Sequence, residues 1–222
     1  MANILAIDTS SDTCSVSLSR ENETFNFHQE LPQQHTENLL SVIKDLLVEA
    51  DLEFPDLEIV AVGNGPGSYT GIRLSCAVAQ GISFSHGVNG AKISSLELLS
   101  LEINQKTSSN EVIAISESNL GKIYVVQSSF YDGKLKSNFE LLSQDEFRLD
   151  KYPQDSVFVG KGCSLFSEVE NQLPDSSPNT FYLVDYLQKF SKEYEIDWFT
   201  AAQDANDWHN YLQDFIKYTS EF

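Results

Sequence analysis

The sequence predicts an α/β chain of two similar subdomains. Three observations carry that reading. The 222 residues are 41% hydrophobic and 11% aromatic, enough to cover a core and too apolar for a disordered chain. Apolar residues first alternate with period two and then fall at helical spacing, and this order, strands and then alternating helices and strands, is read in both halves. Between the halves lies a polar linker, Lys106 to Asn110, which divides an N-terminal part, 1–105, from a C-terminal part, 106–222.

The elements follow in order. Ile4 to Ile7 form an apolar strand, stopped by the turn formers Asp8 to Asp12. Cys14, Val16 and Leu18 alternate with serines, and after a polar turn, Arg20 to Glu23, Phe25 and Phe27 continue the alternation. Three consecutive strands on short turns make an antiparallel meander. Beyond Pro32, Leu39, Leu40, Ile43, Leu46, Leu47 and Ala50 form the stripe of an amphipathic helix over Thr36 to Ala50. A strand, Glu58 to Val62, leads into a glycine-rich loop, Gly63 to Gly71, and a helix of small residues from Ile72 to Phe84. A short strand near Ile93 and a helix from Leu96 to Ile103 close the first half. In the second half the expected strands are Val112 to Ile115, Ile123 to Phe130 and Leu135 to Leu142, the last two joined by a hairpin turn at Asp132 and Gly133. Val157 to Val159 is a further strand, followed by an expected helix running to Leu173; PDSSP reads as a loop and Tyr182 to Tyr194 as a helix.

Charge restricts the function. With 33 acidic and 14 basic side chains, the net charge is −19. Affinity for nucleic acid comes mostly from Lys and Arg neutralising phosphates, so autonomous RNA or DNA binding is not expected. The acids lie in the flanks, while residues 101–139 are neutral. Cys14, Cys76 and Cys163 are odd in number and show no CxxC spacing, which suits reduced thiols better than a disulfide framework or a zinc knuckle. The start, MANILAIDTSSD, has no basic region followed by a long apolar run, and no stretch approaches the ~20 apolar residues of a membrane span. A cytoplasmic protein is expected.

Two motifs could carry chemistry. The loop GNGPGSYTGIR, Gly63 to Arg73, lies between strand and helix, where free amides attract anions. It has neither GxxxxGK[ST] nor GxGxxG, and it fails GxSxG. A tight turn with Ser68 or Thr70 capping a closely packed helix explains it as well as phosphate binding does. Asp8 with Thr9, Ser10 and Ser11 would suit Mg²⁺ and a phosphate, or equally an Asx turn closing a hairpin. His28, His35, His86 and His209 never stand at i, i+4 spacing, so no local HxxxH metal site exists.

Together, ILAIDTSSDTCSVSL, QQHTENLLSVIKDLL and AVGNGPGSYTGIRLSCAVAQGIS resemble the bacterial TsaB (YeaZ) family of tRNA threonylcarbamoyladenosine biosynthesis proteins. The resemblance covers the first hundred residues well and the rest weakly. It implies an actin-like ATPase (ASKHA) fold of two ribonuclease-H-like subdomains, the last residues packing back on the first. It also implies a non-catalytic subunit that binds and supports the transferase TsaD, the subunit that carries HxxxH and modifies an adenosine beside the anticodon. TsaE, a small ATPase, joins the assembly. In the family the first two long helices make the contact, which here points to Leu39, Leu40, Ile43, Leu46, Leu47, Arg73, Cys76, Ala77 and Gln80. A homodimer through the same helices is a further expectation.

The resemblance implies that tRNA is reached only through partners. It implies no cofactor on this chain alone, with ATP or ADP and Mg at the complex interface; the residues pointing to nucleotide are Asp8, Thr9, Ser10, Gly65, Gly67 and Ser68. The chain departs from the family at ESNLGKIY, where Glu117, Asn119 and Lys122 replace Asp, Arg and Glu of a DARxxEVY-like segment, and Asn210 to Gln213 look like a degraded PxYLR stretch. An ATP-binding kinase of the same fold is the alternative, and a metallopeptidase stands behind both.

Overall fold

A computed structural model of the chain describes residues 1–118, 121–169, 171–190 and 198–199, the last pair by backbone pairing only. The meander is present: β1 (Ile4–Asp8), β2 (Thr13–Arg20) and β3 (Glu23–Glu30) pair antiparallel in sequence order. There follow α1 (His35–Glu49), β4 (Ile59–Gly63), α2 (Tyr69–His86), β5 (Asn89–Ile93) and α3 (Ser95–Thr107). The second half holds β6 (Glu111–Glu117), β7 (Lys122–Tyr131), β8 (Lys134–Ser143), β9 (Val157–Val159) and β10 (Gln172–Leu173), then α4 (Thr180–Phe190) and β11 (Trp198–Phe199).

The two sheets share one plan. In the first, β3-β2-β1-β4-β5, the meander is antiparallel and β4 and β5 are parallel to β1, while β11 adds an antiparallel sixth strand on β5. In the second, β8-β7-β6-β9-β10, the order and the polarities are the same. The β7–β8 turn is the predicted one, with Asp132 at φ 51° and Gly133 at φ 76°.

Layers follow from which face each element buries. Leu5, Ile7, Val16, Leu18, Val60 and Val62 line one face of the first sheet and pack under α1 and α2. The other face, with Ile4, Ala6, Ile59 and Ala61, packs on α3 and α4, which also meet Val126, Phe130 and Leu135 of the second sheet. Helices α3 and α4 therefore sit between the sheets, and this explains why Leu96, Leu98, Leu99, Leu101 and Ile103 of α3 are all buried.

Two expectations need correction. The helix expected to run to Leu173 is absent: Lys161–Leu165 is one short 3₁₀ stretch, and Gln172 and Leu173 pair with β9 as an edge strand. Gly160 has φ 94°, and a Cβ on Gly162 would come within 2.6 Å of Ile115, so the chain must cross β6 too closely for a helix. Helix α4 begins two residues before Tyr182 and is described to Phe190; residues 191–194 of the expected helix lie outside the described residues. Among the described residues no helix is long and apolar enough to cross a membrane. All three cysteines are free and buried.

Candidate functional site

The first candidate is the turn after β1 with the glycine loop. Asp8 is wholly buried. Its Oδ1 accepts hydrogen bonds from the Ser10 amide at 2.9 Å and the Ser10 hydroxyl at 2.7 Å, and its Oδ2 accepts from the Ser95 hydroxyl at 2.7 Å. Ser95 opens α3, and its Oγ accepts from the Gly65 amide at 3.0 Å. Burial raises the Asp8 pKa above the ordinary carboxylate value, while the Ser95 and Ser10 hydrogen bonds and the nearby His35 act against that rise. One carboxylate thus ties β1, the glycine loop and the start of α3 together.

The glycines of the loop serve the same packing. A Cβ on Gly63 would lie 1.8 Å from Asp8 Oδ2, one on Gly67 2.2 Å from the Ser10 carbonyl, and one on Gly71 1.8 Å from the Thr9 carbonyl. The Ser68 amide donates to the Ser10 carbonyl at 2.6 Å, the Thr9 hydroxyl donates to the Gly71 carbonyl at 2.7 Å, and Ser68 Oγ caps α2 by accepting from the Gly71 amide at 3.3 Å. The β1–β2 turn is therefore tied to the start of α2 by these hydrogen bonds, while Gly67, Ser68, Tyr69 and Thr70 stay exposed. All six residues predicted to touch nucleotide, Asp8, Thr9, Ser10, Gly65, Gly67 and Ser68, are brought together, but they satisfy one another. Three hydrogen bonds reach the Asp8 carboxylate, and the Ser10 and Thr9 carbonyls fill the space beside Gly67 and Gly71, so packing alone accounts for this set of residues. Among the described residues no three His, Cys, Asp or Glu side chains are grouped as metal ligands. Sequence reasoning missed Ser95; its signal is the capping box of Ser94 and Glu97, which fixes the first turn of α3 beside Asp8.

The second candidate is the outward face of α1 and α2. Both helices lie on one side of the first sheet and turn their other faces to solvent. The stripe expected to meet a partner is here the core stripe: Leu39, Ile43, Leu46 and Leu47 of α1 and Cys76 of α2 are buried under the sheet. Periodicity marks an apolar face but not what covers it. Leu40, Arg73 and Ala77 are exposed and Gln80 is half-buried. The large exposed apolar residues of this face are Leu40 (52%), which the stripe includes, and Val48 (79%), Tyr69 (52%) and Phe84 (68%), which it does not mark. In a chain of 33 acids, the 18 residues of α2 hold none. Arg73 lies over the Tyr69 ring, 3.7 Å from its centroid. The geometry suits docking of an apolar element better than catalysis.

Elsewhere, Lys161 beyond β9 reaches Asp12 of the β1–β2 turn at 3.4 Å, a contact between exposed side chains that joins the two sheets' loops. Glu117 and Lys122 are exposed at the ends of β6 and β7; Asn119 and the stretch Asn210 to Gln213 lie outside the described residues.

A protein-family model described as TsaD, tRNA N6-adenosine threonylcarbamoyltransferase, matches residues 29–174. The tRNA threonylcarbamoyladenosine biosynthesis protein TsaB of Haemophilus influenzae is 28% identical over 207 residues, 84% of this chain and 87% of that one. TsaB of Escherichia coli is 34% identical over 122 residues, 54% of this chain and 52% of that one. TsaB of Bacillus subtilis is 25% identical over 220 residues, 96% and 93% of the two chains. A crystal structure from Pseudomonas aeruginosa, of a protein with similarity to peptidase YeaZ, superposes with a TM-score of 0.83 at 23% identity, over 92% of this chain and 97% of that one.

Proposed function

Because the chain belongs to the TsaB (YeaZ) family, we propose that it is a non-catalytic subunit of tRNA threonylcarbamoyladenosine biosynthesis. In this reading it binds and supports the transferase subunit, TsaE joins the assembly, and tRNA is held by the partners. The place of work is the cytoplasm. The shared strand order of the two sheets supports an actin-like fold of two ribonuclease-H-like subdomains.

One observation carries the partner role: the outward face of α1 and α2 exposes Leu40, Val48, Tyr69 and Phe84, with no acid on α2, in a chain of net charge −19. Apolar side chains gathered on one face gain about 25 cal/mol for each Å² that a partner covers. The kinase alternative loses its anchor, since Asp8 is enclosed and its oxygens are bonded to Ser10 and Ser95.

Co-purification tests the proposal. The tagged chain should retain the transferase subunit of the same cell, and Leu40→Asp or Phe84→Asp should remove it while leaving the melting temperature within about 2 °C, as surface changes usually do. Undiminished recovery with both variants would count against this face. Ile43 is unsuited to the purpose: a buried aspartate there would unfold α1 from the sheet.

A further inference from the structure

Strand β8 is an edge of the second sheet and pairs with β7 alone. Its register with β7 runs unbroken from Lys122↔Ser143 to Tyr131↔Lys134. Successive residues of β8 therefore turn their amides and carbonyls alternately towards β7 and away from it. Two contacts show which residues turn away. The Leu135 amide donates to the Tyr186 hydroxyl at 3.0 Å, and the Ser143 amide donates to Glu146 Oε2 at 2.9 Å. Ser137, Phe139 and Leu141 share their parity, and among the described residues no backbone partner meets them on that side. The edge is thus closed at both ends and open between. The side chains follow the same division. Leu135 is buried, whereas Phe139 and Leu141, opposite Val126 and Tyr124 on the apolar face, are 46% and 39% exposed. Open edges are commonly guarded by proline or lysine, but β8 has no proline and its two lysines, Lys134 and Lys136, stand before the open stretch.

We propose that β8 pairs antiparallel with β8 of a second copy about a two-fold axis at Phe139, joining two five-stranded sheets into one. The open groups select this register. With Phe139 opposite Phe139, Ser137 lies opposite Leu141 on both sides of the axis, and each pair exchanges both amide–carbonyl bonds. A shift of the axis to residue 137 or 138 calls on Leu135, and a shift to 140 or 141 calls on Ser143, whose amides Tyr186 and Glu146 already hold. The side chains agree with it. Two Phe139 rings meet on the axis with Leu141 beside them, and on the opposite face Lys136 of each copy is diagonal to Glu140 of the other, within reach of long side chains. Charge permits the approach: β8 holds two bases and one acid in a chain of net charge −19. A symmetric edge that satisfies itself fits a second copy better than an unrelated extended peptide. The surface is separate from that of the proposed partner role, since α1 and α2 cover the first sheet.

Sedimentation of the full chain tests this. The parent should pass from monomer to dimer between about 1 and 100 µM, as a small interface does. Phe139→Asp should raise the dissociation constant about 10-fold or more, and so should Phe139→Pro, which removes an outward amide without touching the β7 ladder. Lys136→Glu should weaken the dimer and the double variant Lys136→Glu, Glu140→Lys should restore it, because the two positions meet only between copies. Phe139→Cys should cross-link to its own copy on mild oxidation while Asn138→Cys does not; the three native cysteines are buried. Leu40→Asp should leave the dimer intact. A parent that stays monomeric at 100 µM, about the top of that range, overturns the proposal. So does a dimer that Leu40→Asp breaks and Phe139→Asp spares, which would put the contact on α1. A monomer in which hydrogen exchange finds the Phe139 and Leu141 amides protected also overturns it, since the chain's own residues would then cover the edge.

Discussion

Asp8 shows how a residue can be visible in a sequence while its partners are not. Its type and place, a carboxylate at the end of a first strand followed by hydroxyls, are visible in the sequence and would suit a metal. What the sequence cannot carry is that Ser95 arrives from 87 residues away to donate to the second oxygen. His28 is the converse case, since its spacing excludes a local metal motif but says nothing of its neighbours. Its Nδ1 lies 3.1 Å from Ser15 Oγ and its Nε2 3.2 Å from Ser177 Oγ. Burial lowers the His28 pKa below the ordinary 6.5; the Glu102 charge opposes this and the Lys106 charge adds to it. The folded chain therefore holds fewer protons than the unfolded one just below pH 6.5, and stability is lost as pH falls from 6.5 towards the lower folded value. One proton sets an upper bound of about 1.4 kcal/mol per pH unit, reduced here because the ring is half exposed. Thermal unfolding at pH 7.5, 6.5 and 5.5 should show a fall in the parent that His28→Gln makes smaller. Parallel curves for the two proteins would rule out this role for His28.

At the scale of elements, alternation and helical spacing locate most strands and helices because each has a buried face. They fail between Gly160 and Leu173. Leu165, Phe166, Val169 and Leu173 have helix-like spacing, yet only Phe166 and Val169 reach the core, and the tight crossing over Ile115 breaks the run. The outer face of the second sheet is thereby covered by Phe147, Tyr152, Phe166 and Val169 instead of helices. Helix α4 was legible as a helix, but not as the tie between the sheets. Asn179 caps it by accepting from the Phe181 amide, and the Thr180 hydroxyl meets Ser15 Oγ at 3.0 Å and Ser17 Oγ at 2.7 Å on β2. Six residues beyond Thr180, the Tyr186 hydroxyl accepts from the Leu135 amide of β8 at 3.0 Å. Thr180→Val keeps the shape and removes the shared hydroxyl; Ser15 keeps His28 and the amide of residue 180, and Ser17 keeps Asn26, so the loss is two hydrogen bonds at about 0.5–1.5 kcal/mol each. At about 2–4 °C per kcal/mol for a chain of this size, the melting temperature should drop by 2 °C or more. A change under 1 °C would show that the Thr180 hydroxyl does not help to hold α4.

For the whole molecule, the charge says which surface meets which partner. A chain with 33 acids and 14 bases repels a polyanion along most of its surface, and the Debye length of about 8 Å at physiological salt weakens that repulsion without reversing its sign. The acids flank α2 in sequence and leave its 18 residues free, so the α2 part of the docking face is set apart by its lack of acids. That gap cannot be valued from the sequence alone, because the pattern does not say which residues of α2 the sheet covers. Four of the cations among the described residues stand beside an acid. Lys161 is beside Asp12, Lys106 beside Glu102, Lys189 beside Asp185 and Arg20 beside Asp51. A basic groove able to follow a phosphate backbone needs several unpaired cations in a row. The isolated protein should therefore not shift tRNA in a gel at about 150 mM salt and about 10 µM protein, where a non-specific basic binder already does so. With the transferase subunit added, a shift should appear and should be lost with Leu40→Asp, as the proposed partner role requires. A clear shift by this chain alone would mean that local cation placement outweighs its net charge, and the division of labour between the subunits would have to be redrawn.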